Sequence, residues 1–338
     1  MWTEEKLNEI LTTPSNQLIE DMKKIQGDIT VLGAGGKMGP TLCVLAKRAA
    51  KLAGVEKRVI AVSRFSDPDA VDYLQTNGVE IISADLLNAE QLAALPETEN
   101  VIFMAGKKFG TDGNESLTWA MNASLPAFVA RKYQHSRIVV FSSGNIYPIV
   151  PLSYGGCTEA DHPSPIGEYA MSCLARERAF EHAANAYGTK VFIYRLNFAV
   201  DLRYGVLFDV AKKVLDGTPI SLTTPCYNFI WQGSANEIAI RGLLHADSPA
   251  VKMNITGPET VSIRYVAQQF AKMFEKEAIF ENEEGNTAYL NNAMQAMEVF
   301  GYPSVSASTL IRWQAQYILD GCKTLDKPTH FEERKGSY

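Results

Sequence analysis

Two short stretches of this chain carry residues whose types and spacing suit chemistry. In EYAMSCLARE (168–177), Tyr169 and Cys173 stand four apart, so on a helix they share one face. In ITVLGAGGKMG (29–39), Gly33, Gly36 and Gly39 fall in the spacing GxxGxxG between an apolar, β-branched run and a helical pattern. A turn of this kind lets backbone N–H groups close on a diphosphate at the positive end of a helix dipole, with Lys37 and Met38 completing the turn. A glycine pattern alone says little, but this one sits at the first strand–helix junction of an alternating chain, where the mechanism needs it. The bland readings stand beside these: a glycine-rich turn without a ligand, and a core tyrosine whose hydroxyl bonds the backbone.

The end of the second apolar run bears on which dinucleotide such a turn would take. An acidic residue there grips the ribose hydroxyls of NAD, whereas an arginine accommodates the 2′-phosphate of NADP. The run ends in Ser63-Arg64, with no carboxylate before Asp67, which favours NADP over NAD. Asp85, in SADLLN, has the form of an acceptor for the adenine amino group, with Leu86 beside it; equally, it is a residue that caps its own loop.

The elements that must position these residues follow from hydrophobic periodicity. Residues 3–26 read as two amphipathic helices with Thr3 and Ser15 as N-caps. Strands are expected at 29–33, 58–63, 79–84, 100–106, 137–143 and 190–197, and helices at 37–53, 69–76, 89–95, 117–133 and 164–187 between them. Strict alternation with short, continuous apolar strands implies an α/β fold, a Rossmann-like doubly wound parallel sheet. Beyond Asn197 the rhythm loosens, with helical stretches near 205–216, 234–245 and 261–276. The expected organisation is a helical extension (1–26), a dinucleotide-binding domain (27–200, with parts of 228–257) and a smaller, interleaved C-terminal substrate domain (201–338).

Composition narrows the function classes. The chain has 338 residues and a net charge of −6, which argues against nucleic acid or an anionic membrane as partner. No apolar run reaches a membrane span, and the charged N-terminus MWTEEKLNEI lacks a signal-peptide core. Five cysteines without a CxxC pair point to a reducing, cytoplasmic setting, and the scattered histidines propose no metal site.

Taken together, GxxGxxG, the DL at 85–86, the Ala105-Gly106 pair after the fourth strand, Asn122 in the next helix, FSSGNIYP (141–148), Tyr169, Glu177, RLN (195–197) and NITG (254–257) resemble the extended short-chain dehydrogenase/reductase superfamily, the NAD-dependent epimerases and dehydratases, from about residue 29 to at least 275. The resemblance implies that Tyr169 is the acid or base on a substrate hydroxyl or carbonyl and that Ser143 holds the same oxygen. It also implies cofactor contacts from Ala105, Gly106, Asn122 and Asn197, with Asn145 at the substrate. The family's lysine four residues after the tyrosine is here Cys173. A free tyrosine is ionised to only roughly one part in a thousand at pH 7, and a lysine worth about three pKa units represents about 4 kcal/mol of preference for the tyrosinate. Three readings follow: another cation substitutes, with Lys107 or Lys108 of AGKKFG as candidates; Tyr169 works as a neutral acid; or the site is dead and the protein binds NAD(P) in a regulatory or structural role.

The substrate half of the sequence is less informative. No arginine or lysine occurs between Lys213 and Arg241, where nucleotide-sugar enzymes of this family place an arginine against the diphosphate; Arg203 is the nearest stand-in. Trp231 and Gln232 would suit a sugar, sugar acid or polyol, with a stacking face and an amide, although Trp231 also fits a core position. The resemblance further implies a homodimer built on helices 117–133 and 164–187. The principal expectation is an NAD(P)-dependent epimerase, dehydratase or oxidoreductase acting on a sugar-like hydroxyl.

Overall fold

The six apolar runs and one further segment form seven parallel strands of one sheet: β1 (Ile29–Leu32), β2 (Val59–Ser63), β3 (Glu80–Ser83), β4 (Asn100–Phe103), β5 (Arg137–Ser143), β6 (Lys190–Leu196) and β7 (Val251–Ile255). This computed structural model describes residues 1–108, 110, 113–325 and 327–336. The strand order is β3-β2-β1-β4-β5-β6-β7. Central strands β1 and β4 are buried throughout, which is why they read as unbroken apolar runs; the edge strand β3 is half exposed. The order reverses between β1 and β4, and connections leaving the two strands in opposite directions open a crevice at their carboxyl ends.

Helices cover both faces. α1 (Glu4–Leu11) and α2 (Asn16–Lys24) start where expected, with Thr3 and Ser15 accepting from Lys6 N and Leu18 N. Leu7 and Leu11 enter the core of the smaller unit, while Leu18 and Met22 enter the core on one face of the sheet. α3 (Gly39–Leu52) follows the glycine turn and α4 (Pro68–Thr76) follows β2; α5 (Ala89–Ala94) precedes β4. The helix expected at 117–133 is α6 (Glu115–Trp119) and α7 (Leu125–Lys132), joined by a π-helical turn at Ala120–Ser124. α8 (Gly167–Tyr187) carries Tyr169 and ends at Gly188, whose φ of +72° suits the left-handed cap that glycine adopts without strain.

The smaller unit packs α9 (Val206–Asp216) and, further on, α11 (Ile263–Phe274) around Trp231, Tyr227 and Phe270. Between them α10 (Gln232–Arg241) returns to the sheet, where a buried Arg241–Asp21 ion pair (2.8 Å) ties it to α2. β7, α12 (Met294–Phe300) and α13 (Ala307–Leu319) were not expected as elements. β7 reads VKMNI, with a lysine and an asparagine interrupting it, so it lacks the continuous apolar run that marks the other strands. Among the described residues no helix is long and apolar enough to cross a membrane, and no cluster of three His, Cys, Asp or Glu side chains is gathered as a metal would require.

Candidate active site

The glycine turn is built by contacts that admit no side chain. Gly33 has φ +90°, and a Cβ there would lie 2.5 Å from Ala105 N; at Gly39 it would lie 2.2 Å from Ala34 O. The first contact draws the loops after β1 and β4 together, and the second lets α3 start directly beneath the turn. At Gly36 a Cβ would meet only Gly33 O at 3.5 Å, so that backbone faces open space. A tight backbone turn free of side chains at the start of a 14-residue helix fits the diphosphate of a dinucleotide. Met38 packs against the core and Gly35 against the Ser63 side chain.

Lys37 leaves this turn towards the smaller unit, its ammonium 3.2 Å from the centroid of the Tyr204 ring. Burial, reinforced by the charges of Lys327 and Lys108, pushes it down to about 7, against an opposing pull from Asp209.

At the other end of the crevice, the Ser143 hydroxyl closes β5 and bonds Asn145 twice, donating to Oδ1 and accepting from the backbone N–H, each at 3.1 Å. Tyr169, in the first turn of α8, hydrogen-bonds Ser143, so the serine and the phenol meet. Burial drives the Tyr169 phenol well above its ordinary value, and the Cys173 thiol beside it adds to the rise; the Ser143 bond and the Arg176 charge oppose it. Cys173 is fully buried and its own thiol is pushed up by burial. Lys108 approaches from the loop after β4, with its ammonium 5.5 Å from the Tyr169 ring centroid. Burial lowers it to about 8, and Cys173 acts in the opposite sense. Of the two adjacent lysines, Lys108 is the one whose ammonium lies over the tyrosine ring. Lys107, the other expected candidate, is held through its backbone by Asn122.

Asn122 does not reach a cofactor. It is fully buried, and Oδ1 accepts from Lys107 N (2.9 Å) and Arg176 NH2 (2.7 Å) while Nδ2 donates to Lys107 O (2.8 Å) and Ser172 Oγ (3.0 Å). Those four bonds exhaust the amide, so its place is to fix the β4 loop against α8. Gly106 lies at the same junction, where a Cβ would sit 2.4 Å from Arg176 NH2.

A buried network sets the height of α8 against the strand ends. Arg195 pairs with Glu177 through Nε (3.0 Å) and NH2 (2.7 Å), Ser142 donates to the same carboxylate (2.5 Å), and Arg195 NH1 donates to Tyr147 (2.5 Å). Tyr147 in turn donates to Asn254 Oδ1 of β7 (3.0 Å).

Next to Ser143 the chain gathers carboxamides. Asn197 donates to Asn228 Oδ1 (2.8 Å), and Asn228 donates to the Asn291 carbonyl (2.7 Å). A Cβ on Gly144 would lie 2.6 Å from Asn291 Oδ1 and 3.0 Å from Asn197 Cβ. Asn291 is 2% exposed, and neither polar atom of its side chain has a hydrogen-bond partner among the described residues. Asn228 and Asn291 carried no signal in the sequence, since only the fold brings them beside β5.

Three expected substrate residues are placed elsewhere. Trp231 is 2% exposed and edge-packed on Trp313 in the smaller core, with no face for a sugar. Gln232 is buried, donating to Thr41 and Asp201 (3.3 Å each). Arg203 pairs with Asp201 and bonds Asn8 of α1, which makes it a structural tie. At the adenosine end, Asp85 accepts from Leu87 N (3.0 Å), capping its own turn, Leu86 is a core residue, and Arg64 is exposed after β2.

The family model for the NAD-dependent epimerase/dehydratase family matches residues 29–225. No curated protein sequence matches the chain. Among solved structures, the chain is similar to UDP-glucuronic acid 4-epimerase from Bacillus cereus in complex with NAD, at TM-score 0.70 and 19% identity, covering 87% of this chain and 99% of that one. It is also similar to the Thermus thermophilus UDP-glucose 4-epimerase complex with NAD (0.69, 18%, 86% and 99%) and to dTDP-glucose 4,6-dehydratase from Bacillus anthracis in complex with NAD (0.71, 14%, 87% and 96%). With its glycine turn, its serine–tyrosine pair and a family match over more than half its length, the chain belongs to the NAD-dependent epimerase/dehydratase family and is an enzyme of that kind, working with a nicotinamide dinucleotide.

Proposed function

We propose that this enzyme interconverts a hydroxyl and a carbonyl on a sugar or sugar derivative, with Ser143 and Tyr169 holding the reacting oxygen. The observation that carries the reading is the hydrogen bond between these two side chains at the carboxyl end of β5, with Lys108 over the phenol. The dinucleotide, when bound, supplies a nicotinamide that takes and returns hydride. The chain does the rest. Ser143 orients the substrate oxygen, and Tyr169 moves the proton on it. Burial keeps Tyr169 in its phenol form in the free protein, which suits donation to a carbonyl oxygen. Accepting a proton from a hydroxyl needs a stabilised phenolate, and the Lys108 cation supplies this where the family's lysine is replaced by Cys173.

The neutral amides of Asn145, Asn197 and Asn291 around Gly144 suit hydroxyl groups, each able to give and accept a hydrogen bond. Arg64, exposed at the end of β2, supports a preference for NADP, since Asp67 is engaged in capping α4. Leu117, Phe128 and Met171 are exposed on α6, α7 and α8, the helices expected to pair two copies, which supports a homodimer. The experiment is to load the protein with NAD or NADP and follow coenzyme absorbance against UDP-glucose, UDP-glucuronic acid and the free sugars. Oxidation of any of these sugars with reduction of the coenzyme, or epimerisation of any of them, abolished in Tyr169→Phe, supports the reading; coenzyme binding without turnover of any of them counts against it.

A further inference from the structure

The described residues around Asn291 direct their hydrogen bonds to its stretch of backbone and none to its side chain. Asn228 Nδ2 donates to Asn291 O (2.7 Å), and Asn291 N donates back to Asn228 Oδ1 (3.4 Å). On the other side Cys157 N donates to Leu290 O (2.8 Å) and Asn292 N donates to Cys157 O (2.8 Å). Asn254 Nδ2 donates to Asn292 O (3.1 Å). Gly156 completes the fit, since a Cβ there would lie 2.8 Å from Asn291 C. The main chain is thus clamped from two directions, which leaves the side chain little freedom to seek a partner elsewhere. Its Oδ1 lies against Gly144, where a Cβ would come within 2.6 Å of it. Gly144 directly follows Ser143, and Asn291 (2% exposed) sits about as deep as Ser143 (5%). A molecule that reaches the serine hydroxyl therefore meets this amide at the same depth.

A buried amide that uses neither its donors nor its acceptor is costly, and protein interiors normally pair such a group. Here it is kept, next to the serine that holds the reacting oxygen, on a backbone fixed in advance. The group that satisfies it must accept from Nδ2 and donate to Oδ1. A hydroxyl does both, whereas a carbonyl or a carboxylate only accepts and leaves Oδ1 unmet.

We infer that Asn291 recognises a hydroxyl on the carbon next to the reacting one, so that the substrate is a sugar or polyol with hydroxyls on adjacent carbons. The inference rests on the reading of Ser143 and Tyr169 as the pair that holds the reacting oxygen.

The test uses the coenzyme-loaded, full-length protein with UDP-glucose and with glucose, each beside its 3-deoxy analogue, whose missing hydroxyl neighbours both C2 and C4. The parent should prefer the hydroxyl form by about 10²-fold in kcat/KM. Asn291→Leu should shrink that preference to a few-fold by losing rate on the hydroxyl form alone, with coenzyme affinity unchanged. Asn291→Ala takes its place if the leucine variant does not fold. Calorimetric binding of the same pairs to Tyr169→Phe repeats the comparison without turnover. Equal use of both forms by the parent, or a preference that survives in Asn291→Leu, overturns the inference. If the parent turns over neither sugar while Tyr169→Phe still binds the hydroxyl form preferentially, the catalytic reading fails instead. Binding of neither sugar overturns both.

Discussion

Lys108 places its ammonium 5.5 Å from the ring of Tyr169, from a different segment of chain than the one in which the family carries its lysine. Cys173 occupies the helical position one turn after the tyrosine and is sealed in the core. The β4 loop thus brings a cation to the ring from elsewhere, while the phenol is bonded to Ser143.

Removing that cation should cost rate more than binding. Lys108→Met is expected to lower kcat by about 10²–10³, the range of a positioned acid–base contribution, with coenzyme affinity little changed. Lys107→Ala should stay within a few-fold of the parent. The pH profile gives the sign: Lys108 is charged below about 8, so the rate should fall as pH rises through that value, and this alkaline limb should vanish in Lys108→Met. Equal losses in both variants, or an unaltered alkaline limb, would remove Lys108 from the mechanism.

Lys37 makes a second pH prediction. Its folded-state value of about 7 lies below the ordinary lysine value of 10.5, so between these values the unfolded chain holds a proton that the folded chain does not. Stability of the coenzyme-free protein should therefore gain from this group as pH rises from 7 towards 10. The groups acting on it are Lys327, Lys108 and Asp209, with the Tyr204 ring beneath. Coenzyme binding, by adding negative charge at the turn, should take up a proton near neutral pH and weaken as pH rises. Lys37→Met should flatten both dependences, in chemical denaturation and in binding titrations across pH 6.5–9, roughly the window set by the shift.

Glu177 and Arg195 should behave as a buried pair. Both are nearly inaccessible, so Glu177→Ala leaves an uncompensated guanidinium and is expected to destabilise by about 3–5 kcal/mol. Denaturant melts of Glu177→Ala beside Glu177→Gln check this. A loss below about 1 kcal/mol in Glu177→Ala would show that the pair does not anchor α8.

Asn291 should show the opposite. Its amide is buried with no hydrogen-bond partner among the described residues, so Asn291→Leu should leave the ligand-free protein as stable as the parent or about 1 kcal/mol more stable, while impairing turnover. Clear destabilisation would mean that the amide is structurally bonded.

The exposed apolar residues on α7 and α8 predict association. Phe128→Glu with Met171→Glu should shift the particle from dimer to monomer in sedimentation, with its fold intact by circular dichroism. If the parent sediments as a monomer, this face pairs with nothing.

Much of this was legible in the chain because it depends on local pattern. The six strands with continuous apolar runs and the caps at Thr3 and Ser15 were found within a few residues of their observed bounds. So was the glycine turn, whose spacing is dictated by the close approaches at Gly33 and Gly39. What depends on long-range packing was not legible. Nothing local distinguishes Lys107 from Lys108, because adjacent loop lysines diverge according to backbone direction. Trp231 has the composition of a sugar platform, but contact with Trp313, more than eighty positions away, decides that it is core. Asn122 read as a cofactor contact until its four bonds to loop and helix were seen.

The most direct test of the central claim is a single-turnover experiment on the coenzyme-loaded protein. Oxidised coenzyme is mixed with each sugar of the panel, and the appearance of the reduced nicotinamide is followed in parent and Tyr169→Phe. The account predicts reduction by at least one sugar, slowed by about 10² or more in Tyr169→Phe. Equal rates in the two proteins, or a tightly held coenzyme that no sugar reduces, would contradict it.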